Sequence, residues 1–266
     1  MGINSLLDTI TKEIAGFESI TLAEMDKVKL MDRVDVKYVI PLWLLPELLK
    51  EAREHYKVVV VNHERICAYE TQYFDEDNQM ALYHQHQTGS LNRYKVRTRN
   101  YVGSDLQFFE IKFKNNKGRT LKKRIRTTEY DKPMIDEDNE RDFLEKHSPF
   151  HPNDLKGVLW VFYRRITLVS KHHLERLTID LELCFKNDDK EKAYPTIVIA
   201  EVKQQKKGAS HFIELMKKYH IREGSISKYC FGIISLIEGV KYNRFKPHLL
   251  KITKLIRQHD ALAGHS

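Results

Sequence analysis

Glu110-Ile111-Lys112 and Glu201-Val202-Lys203 each set an acid and a base two residues apart inside an apolar run. On a β-strand, residues i and i+2 point to the same side. Each segment therefore aims a carboxylate and an ammonium at one face. Buried charge is costly unless it is paired or meets a charged ligand. Two such strands in one chain call for a fold with an enclosed polar face, able to hold both an anion and a cation.

The other strand-like segments follow the same parity. Arg33, Asp35 and Lys37 alternate with Val34, Val36 and Tyr38. Arg93, Lys95, Arg97 and Arg99 oppose Tyr94, Val96 and Thr98, and Lys122, Arg124 and Arg126 oppose Leu121 and Ile125. Tyr163, Arg165 and Thr167 alternate with Phe162, Ile166 and Leu168, and Arg176, Thr178, Asp180 and Glu182 with Leu177, Ile179 and Leu181. The pattern predicts strands over 33–40, 58–61, 69–74, 92–101, 107–114, 120–127, 159–168, 175–183 and 196–203. Helices are expected over 1–30 as a leader in two pieces, over 42–54 and 139–147, and through a C-terminal third from Ser210. For any one strand, an open antiparallel sheet with a wet face suffices. Arg and Lys dominate that face on at least six strands, however, and like charges on neighbouring strands repel. The set predicts an α+β domain whose sheet curls into a barrel around a polyanion.

Charge supports this. The 266 residues carry a net charge of +8 with 41% hydrophobic content, a balance that favours polyanionic partners. The candidate interior bases are Lys37, Arg97, Arg99, Lys112, Lys122, Arg124, Arg165, Arg176, Lys203 and Lys228. The candidate interior acids are Asp35, Glu110, Asp180 and Glu201. Ten bases against four acids leave six positive charges inside, most of the chain's excess. Such an interior suits a chain of phosphates, and the carboxylate oxygens suit Mg²⁺ or Mn²⁺. No run reaches a membrane span, no secretory leader is seen, and Cys67, Cys184 and Cys230 form no paired motif. A cytoplasmic protein with reduced thiols is expected. His84, His86, His172 and His173 lack a partner set for zinc and read as surface or loop residues. The segment YKVRTRNY lacks the aromatic order of an RNA-binding strand, so no specific nucleic acid is expected.

The segments RVDVKY, YFDEDNQMALYHQHQTGSLNRYKVRTRNY, FEIKFK, TLKKRI, FYRRITL, RLTIDLEL, AEVKQ and SKYCFG, in that order, resemble the VTC-type polyphosphate polymerase domains of the triphosphate tunnel metalloenzymes (CYTH-like). The resemblance spans about Leu22 to Gly232. It implies a closed eight-stranded antiparallel β-barrel with flanking helices, over residues 31–240, between the helical leader 1–30 and a basic tail 241–266. It implies that Lys37, Arg97, Arg99, Lys112, Lys122, Arg165, Arg176, Lys203 and Lys228 bind phosphate, with Arg124 inward by parity beside them. Of these, Lys37, Arg97, Arg99, Arg165, Arg176 and Lys203 serve catalysis. Glu201 falls on the metal-binding glutamate, with Glu110 and Asp180 as further acids for Mn²⁺ or Mg²⁺. The reaction implied is transfer of the γ-phosphoryl of ATP onto growing polyphosphate. Triphosphate hydrolysis and non-catalytic polyphosphate binding are the alternatives. Arg33 stands where the hydrolytic relatives carry the first acid of E-x-E-x-K, which favours phosphate over water as acceptor. The resemblance leaves room for a membrane-protein partner.

Overall fold

The computed structural model describes residues 2–26, 34–77, 79–205, 208–224 and 227–263. Arg33, and with it the first position of the strand-one pattern, lies outside these residues. The chain opens with α1 (Ile3–Ala15), β1 (Ser19–Thr21), α2 (Leu22–Asp26), β2 (Val34–Pro41) and α3 (Leu45–Ala52). It continues through β3 (Tyr56–Val60), β4 (Ile66–Glu76), α4 (Ala81–Thr88), β5 (Arg93–Tyr101), β6 (Leu106–Lys114), β7 (Thr120–Arg126) and α5 (Asp138–His147). Then come β8 (Leu155–Ser170), β9 (Glu175–Lys186), β10 (Glu191–Tyr194), β11 (Ile197–Gln204), α6 (His211–Lys218), α7 (Lys228–Leu236) and α8 (Lys246–Ala263). All nine expected strands are present within a few residues. The short strands β1 and β10 and the helix α4 are additions.

Eight strands run antiparallel in the order β2-β11-β9-β8-β4-β5-β6-β7, and β10, β3 and β1 attach at the side, β1 parallel to β3. The expected closed eight-stranded barrel is corrected here. Among the described residues the sheet has eleven strands, and β2 and β7 do not pair to close it. Parity assigns a residue to a face but says nothing of whether the last strand meets the first. β7 is short, exposed along almost its whole length, and carries Lys122, Lys123, Arg124 and Arg126. Basic side chains on an edge strand oppose pairing with a further strand.

Apolar residues of the opposite parity form the outer layer. Val36, Tyr38, Ile40, Leu177, Ile179, Ile166, Ala200 and Val202 are covered by Leu6, Ile10 and Ile14 of α1, Leu45, Leu48 and Leu49 of α3, and Phe212, Leu215 and Met216 of α6. Ser210 caps α6 by accepting from the Ile213 N–H, and Pro46 in the first turn of α3 forfeits no helical bond. Further along, Phe74, Val96, Phe109 and Ile111 pack with Leu144 of α5. The inner face has its own apolar cluster at one end. Val39, Tyr73, Leu159, Val161, Leu183, Phe185 and Ile199 meet Tyr229, Phe231 and Leu236 of α7 and Ile252 of α8. A Cβ on Gly232 would stand 2.6 Å from Leu159 Cδ2, so the glycine lets α7 lie close against β8. The basic helix α8 thus packs on its own protein through Ile252, with Leu250 turned outward.

Candidate functional site

Register brings the alternating charges onto one concave face. Lys37 lies opposite Glu201 and Asp35 opposite Lys203 across β2 and β11. Glu201 then faces Thr178, and Lys203 faces Arg176, on β9. Asp180 faces Arg165 on β8, and Arg97 and Arg99 on β5 face Tyr73 and Thr71 on β4. Glu110 of β6 sits between Arg97 of β5 and Arg124 of β7, and Lys112 between Lys95 and Lys122. The N-terminus of α7 spans the concavity. Lys228 donates to Asp180 on β9, while the neighbouring Ser227 accepts from Lys95 on β5 at 2.6 Å. Two strands separated by β8 and β4 are thus joined through one helix end, which only a curled sheet permits.

Each of the three candidate metal acids is held by two bases. Glu110, fully buried, takes Arg97 Nε at 2.7 Å and Nη2 at 2.5 Å on one oxygen and Lys122 on the other. Asp180 takes Arg165 in a fork, Nε at 2.5 Å and Nη2 at 2.8 Å, together with Lys228. Glu201 takes Lys203 at 2.5 Å and Lys37 at 3.3 Å. Burial alone would raise all three carboxyls. For Glu110 the nearby Arg97, Arg99 and Lys122 outweigh it, for Asp180 Arg165 and Lys228, and for Glu201 Lys203 and Lys37, so all three lie well below the usual carboxylate range. They stay ionised at neutral pH, as do Arg97 and Arg165, each raised by its acid against the pull of burial.

The remaining expected bases divide. Arg99 donates to Thr71 Oγ1 at 3.2 Å, and its guanidinium lies 5.8 Å from the Tyr69 ring centre. Among the described residues Lys112 forms no ion pair, and Arg97, then burial, then Arg99 push its pKa well down. Burial lowers Lys122 and Lys203 to about 8, despite Glu110 and Glu201. Arg176 sits opposite Lys203 in register. Arg124 is exposed and lies over the Phe108 ring at 4.1 Å. Arg165 stands 4.9 Å from the Tyr69 ring centre and Lys228 4.7 Å from that of Tyr163, so aromatic faces back the cations. One residue was passed over. Lys95 shares the parity of Arg97 and Arg99, and that was the signal. His86, expected on a surface loop, is half-buried on α4.

The three carboxylates do not converge. Among the described residues, no group of three or more His, Cys, Asp or Glu could hold a metal ion. A site built on one carboxylate does fit. The Glu201 side chain is 20% exposed, against 4% for Asp180 and 0% for Glu110, so its oxygens are the most accessible of the three. Mg²⁺ commonly binds through one or two carboxylates and completes its shell with substrate phosphates and water.

Comparison with known families matches the VTC domain over residues 32–237. Comparison with curated proteins finds no match. Among solved structures, the chain is similar to a proposed adenylate cyclase from Bacillus halodurans at 14% identity and TM-score 0.45, covering 74% of this chain and 94% of that one. A proposed adenylate cyclase from Vibrio parahaemolyticus is similar at 12% identity and TM-score 0.44, with the same coverage. A proposed adenylyl cyclase from Hippeastrum, described as having a dominant triphosphatase activity, is similar at 11% identity and TM-score 0.43, covering 80% and 100%.

Proposed function

The chain belongs to the VTC domain family, and on that footing we propose that it is a metal-dependent polyphosphate polymerase, moving the γ-phosphoryl of ATP onto a growing polyphosphate chain. The observation that carries the reading is the surplus of enclosed basic groups. Glu110, Asp180 and Glu201 are each already neutralised by two bases, yet Arg99 and Lys112 stand on the same face and, among the described residues, pair with no acid of their own.

Phosphoryl transfer asks a protein for position and neutralised charge rather than for covalent help. Arg99 and Arg176 can grip phosphate oxygens with forked donors, Arg97 and Arg165 with the N–H groups that Glu110 and Asp180 leave over, and Lys37, Lys112, Lys122, Lys203 and Lys228 act as point charges. Bases already held by Glu110, Asp180 and Glu201 would be oriented before the reaction, which limits the reorganisation needed when charge develops. A terminal phosphate oxygen of the chain forms the new bond to the γ-phosphorus. The bond from that phosphorus to the bridging oxygen breaks, and the nucleoside diphosphate leaves. The acceptor oxygen is already anionic at neutral pH, so no general base is required. A divalent ion at Glu201 would neutralise charge on the transferred group and on the leaving diphosphate.

Purified protein incubated with ATP and Mn²⁺ or Mg²⁺ is expected to yield long polyphosphate chains on a gel. Orthophosphate as the only product would replace this reading with triphosphate hydrolysis. No product with retained polyphosphate binding would leave a binding module.

A further inference from the structure

Away from the concave face, three histidines from separate parts of the chain meet beside the helices that cover the outer layer. His55 lies between α3 and β3, His211 opens α6, and His172 sits in the turn between β8 and β9. The rings of His55 and His211 are stacked, with centres 3.5 Å apart and planes 22° from parallel. His172 stands edge-on to His55 at 5.6 Å, and His173 follows it at 6.3 Å. The same end of α6 is tied inward. Tyr56, next to His55 in the chain, accepts from the Phe212 N–H at 3.1 Å and donates to the buried Glu175. Glu175 in turn accepts at 2.9 Å from Gln204, the last residue of β11.

Three features make a second proton on His211 costly. Its Nε2 is buried and, among the described residues, has no hydrogen-bond partner, so an added N–H would point at no acceptor. A charged ring there would lie flat against His55, and two like charges at stacking distance repel strongly. His211 is also the first residue of α6, where free N–H groups already make a positive end. The groups that oppose these effects are Glu214 on α6 and Glu51 on α3. Glu51 is already engaged by Lys218 at 2.6 Å and by the Tyr219 hydroxyl, and Lys171, at the end of β8, is occupied by Glu18 at 2.7 Å. Burial first, then His55, hold His211 below the ordinary histidine value of 6.5. Any opened form, in which the ring regains that ordinary value, therefore gains on the closed one as pH falls through this range.

We propose that the His55–His211 stack, with His172 against it, is a pH-sensitive latch that holds the first turn of α6 to α3 and β3 while both rings are neutral and releases it when acid charges them. The sheet stays folded when the latch opens, because Phe212, Leu215 and Met216 cover only one part of the outer layer. The device stands apart from the polyphosphate reading, since no ligand takes part in it.

The test is amide hydrogen exchange of the full chain, read residue by residue at about pH 7.5 and about pH 5.5, with the pH dependence of the intrinsic rates divided out. Protection of the α6 amides is expected to fall about tenfold at the lower pH, while amides of β8 and β9 change by less than about twofold. His211→Phe and His211→Gln both remove the proton-accepting ring, and thermal melts check that each is folded. In both, α6 is expected to keep its protection within about twofold. His55→Phe offers the charged His211 an attractive aromatic face instead of a second charge, and should cut the loss to about threefold. Unchanged α6 protection in the unaltered protein, or an equal loss in β8 and β9, would overturn the latch. So would a loss that persists in either folded His211 variant. A loss in folded His55→Phe as large as the parent's would remove the stack from the device and overturn it equally.

Discussion

Glu201 shares its two oxygens between Lys37 and Lys203, and its charge is what a divalent ion would use. Glu201→Gln is expected to abolish turnover in the ATP assay while leaving polyphosphate affinity largely intact, since the bases remain; unchanged turnover would remove Glu201 from the metal site. A second expectation concerns protons. Lys122 and Lys203 titrate near 8, lowered by burial from an ordinary 10.5. A bound polyanion favours their charged forms and raises both pKa values, so binding at pH 8 should take up protons, and affinity should fall as pH rises beyond that. Calorimetry in buffers of different ionisation heat reads the uptake; its absence would place these amines away from the ligand. Without ligand the same lysines make the fold gain stability as pH rises from about 8 towards 10.5, where the unfolded chain holds more protons than the folded one. Parity made most of this site legible, including Lys37, Arg97, Glu110, Arg165 and Asp180. The partnerships were not. Arg124 is the residue in register with Glu110, yet Lys122 makes the contact and Arg124 turns onto Phe108. The length and path of a side chain decide that, and a sequence does not print them.

At the scale of elements, α4 shows why a helix can be invisible in its own residues. Its HQHQT stretch has no apolar stripe, and Met80 before it has a left-handed φ of 49° with no side-chain cap. The cap comes from β4. The buried Asp75 accepts from the Leu82 and Tyr83 N–H groups at 2.8 and 3.0 Å and from the Tyr229 hydroxyl of α7. Asp75→Ala would strand these donors, and a loss on the order of 3 kcal/mol is expected in urea denaturation. Gly232→Ala tests the contact of α7 with β8. The added methyl meets Leu159 and Phe185, and overpacking of this kind typically costs about 1–3 kcal/mol. A variant as stable as the parent would mean that the helix can shift outward freely. Strands were far more legible than α4, because their period of two is set by the same face that binds and the same face that packs.

Across the whole molecule, the eight strands of the main sheet path were legible as strands, but whether the path closes was not. Among the described residues β7 is held by one ladder only, to β6, and an element secured along a single edge opens more readily than its neighbours. Backbone amides of Thr120–Arg126 are therefore expected to exchange with deuterium faster than those of β8, bonded to β4 and β9, or of β9, bonded to β8 and β11. Slow exchange there would point to a second partner for β7. Lys122 on this free edge and Lys37 on the other, β2, both face the concavity. On the proposed function, a phosphate chain held between them would bridge the two loose margins, and exchange along β7 should slow when it binds. The substrate would then be the seam of the curled sheet, drawing together two margins that the described residues leave unpaired.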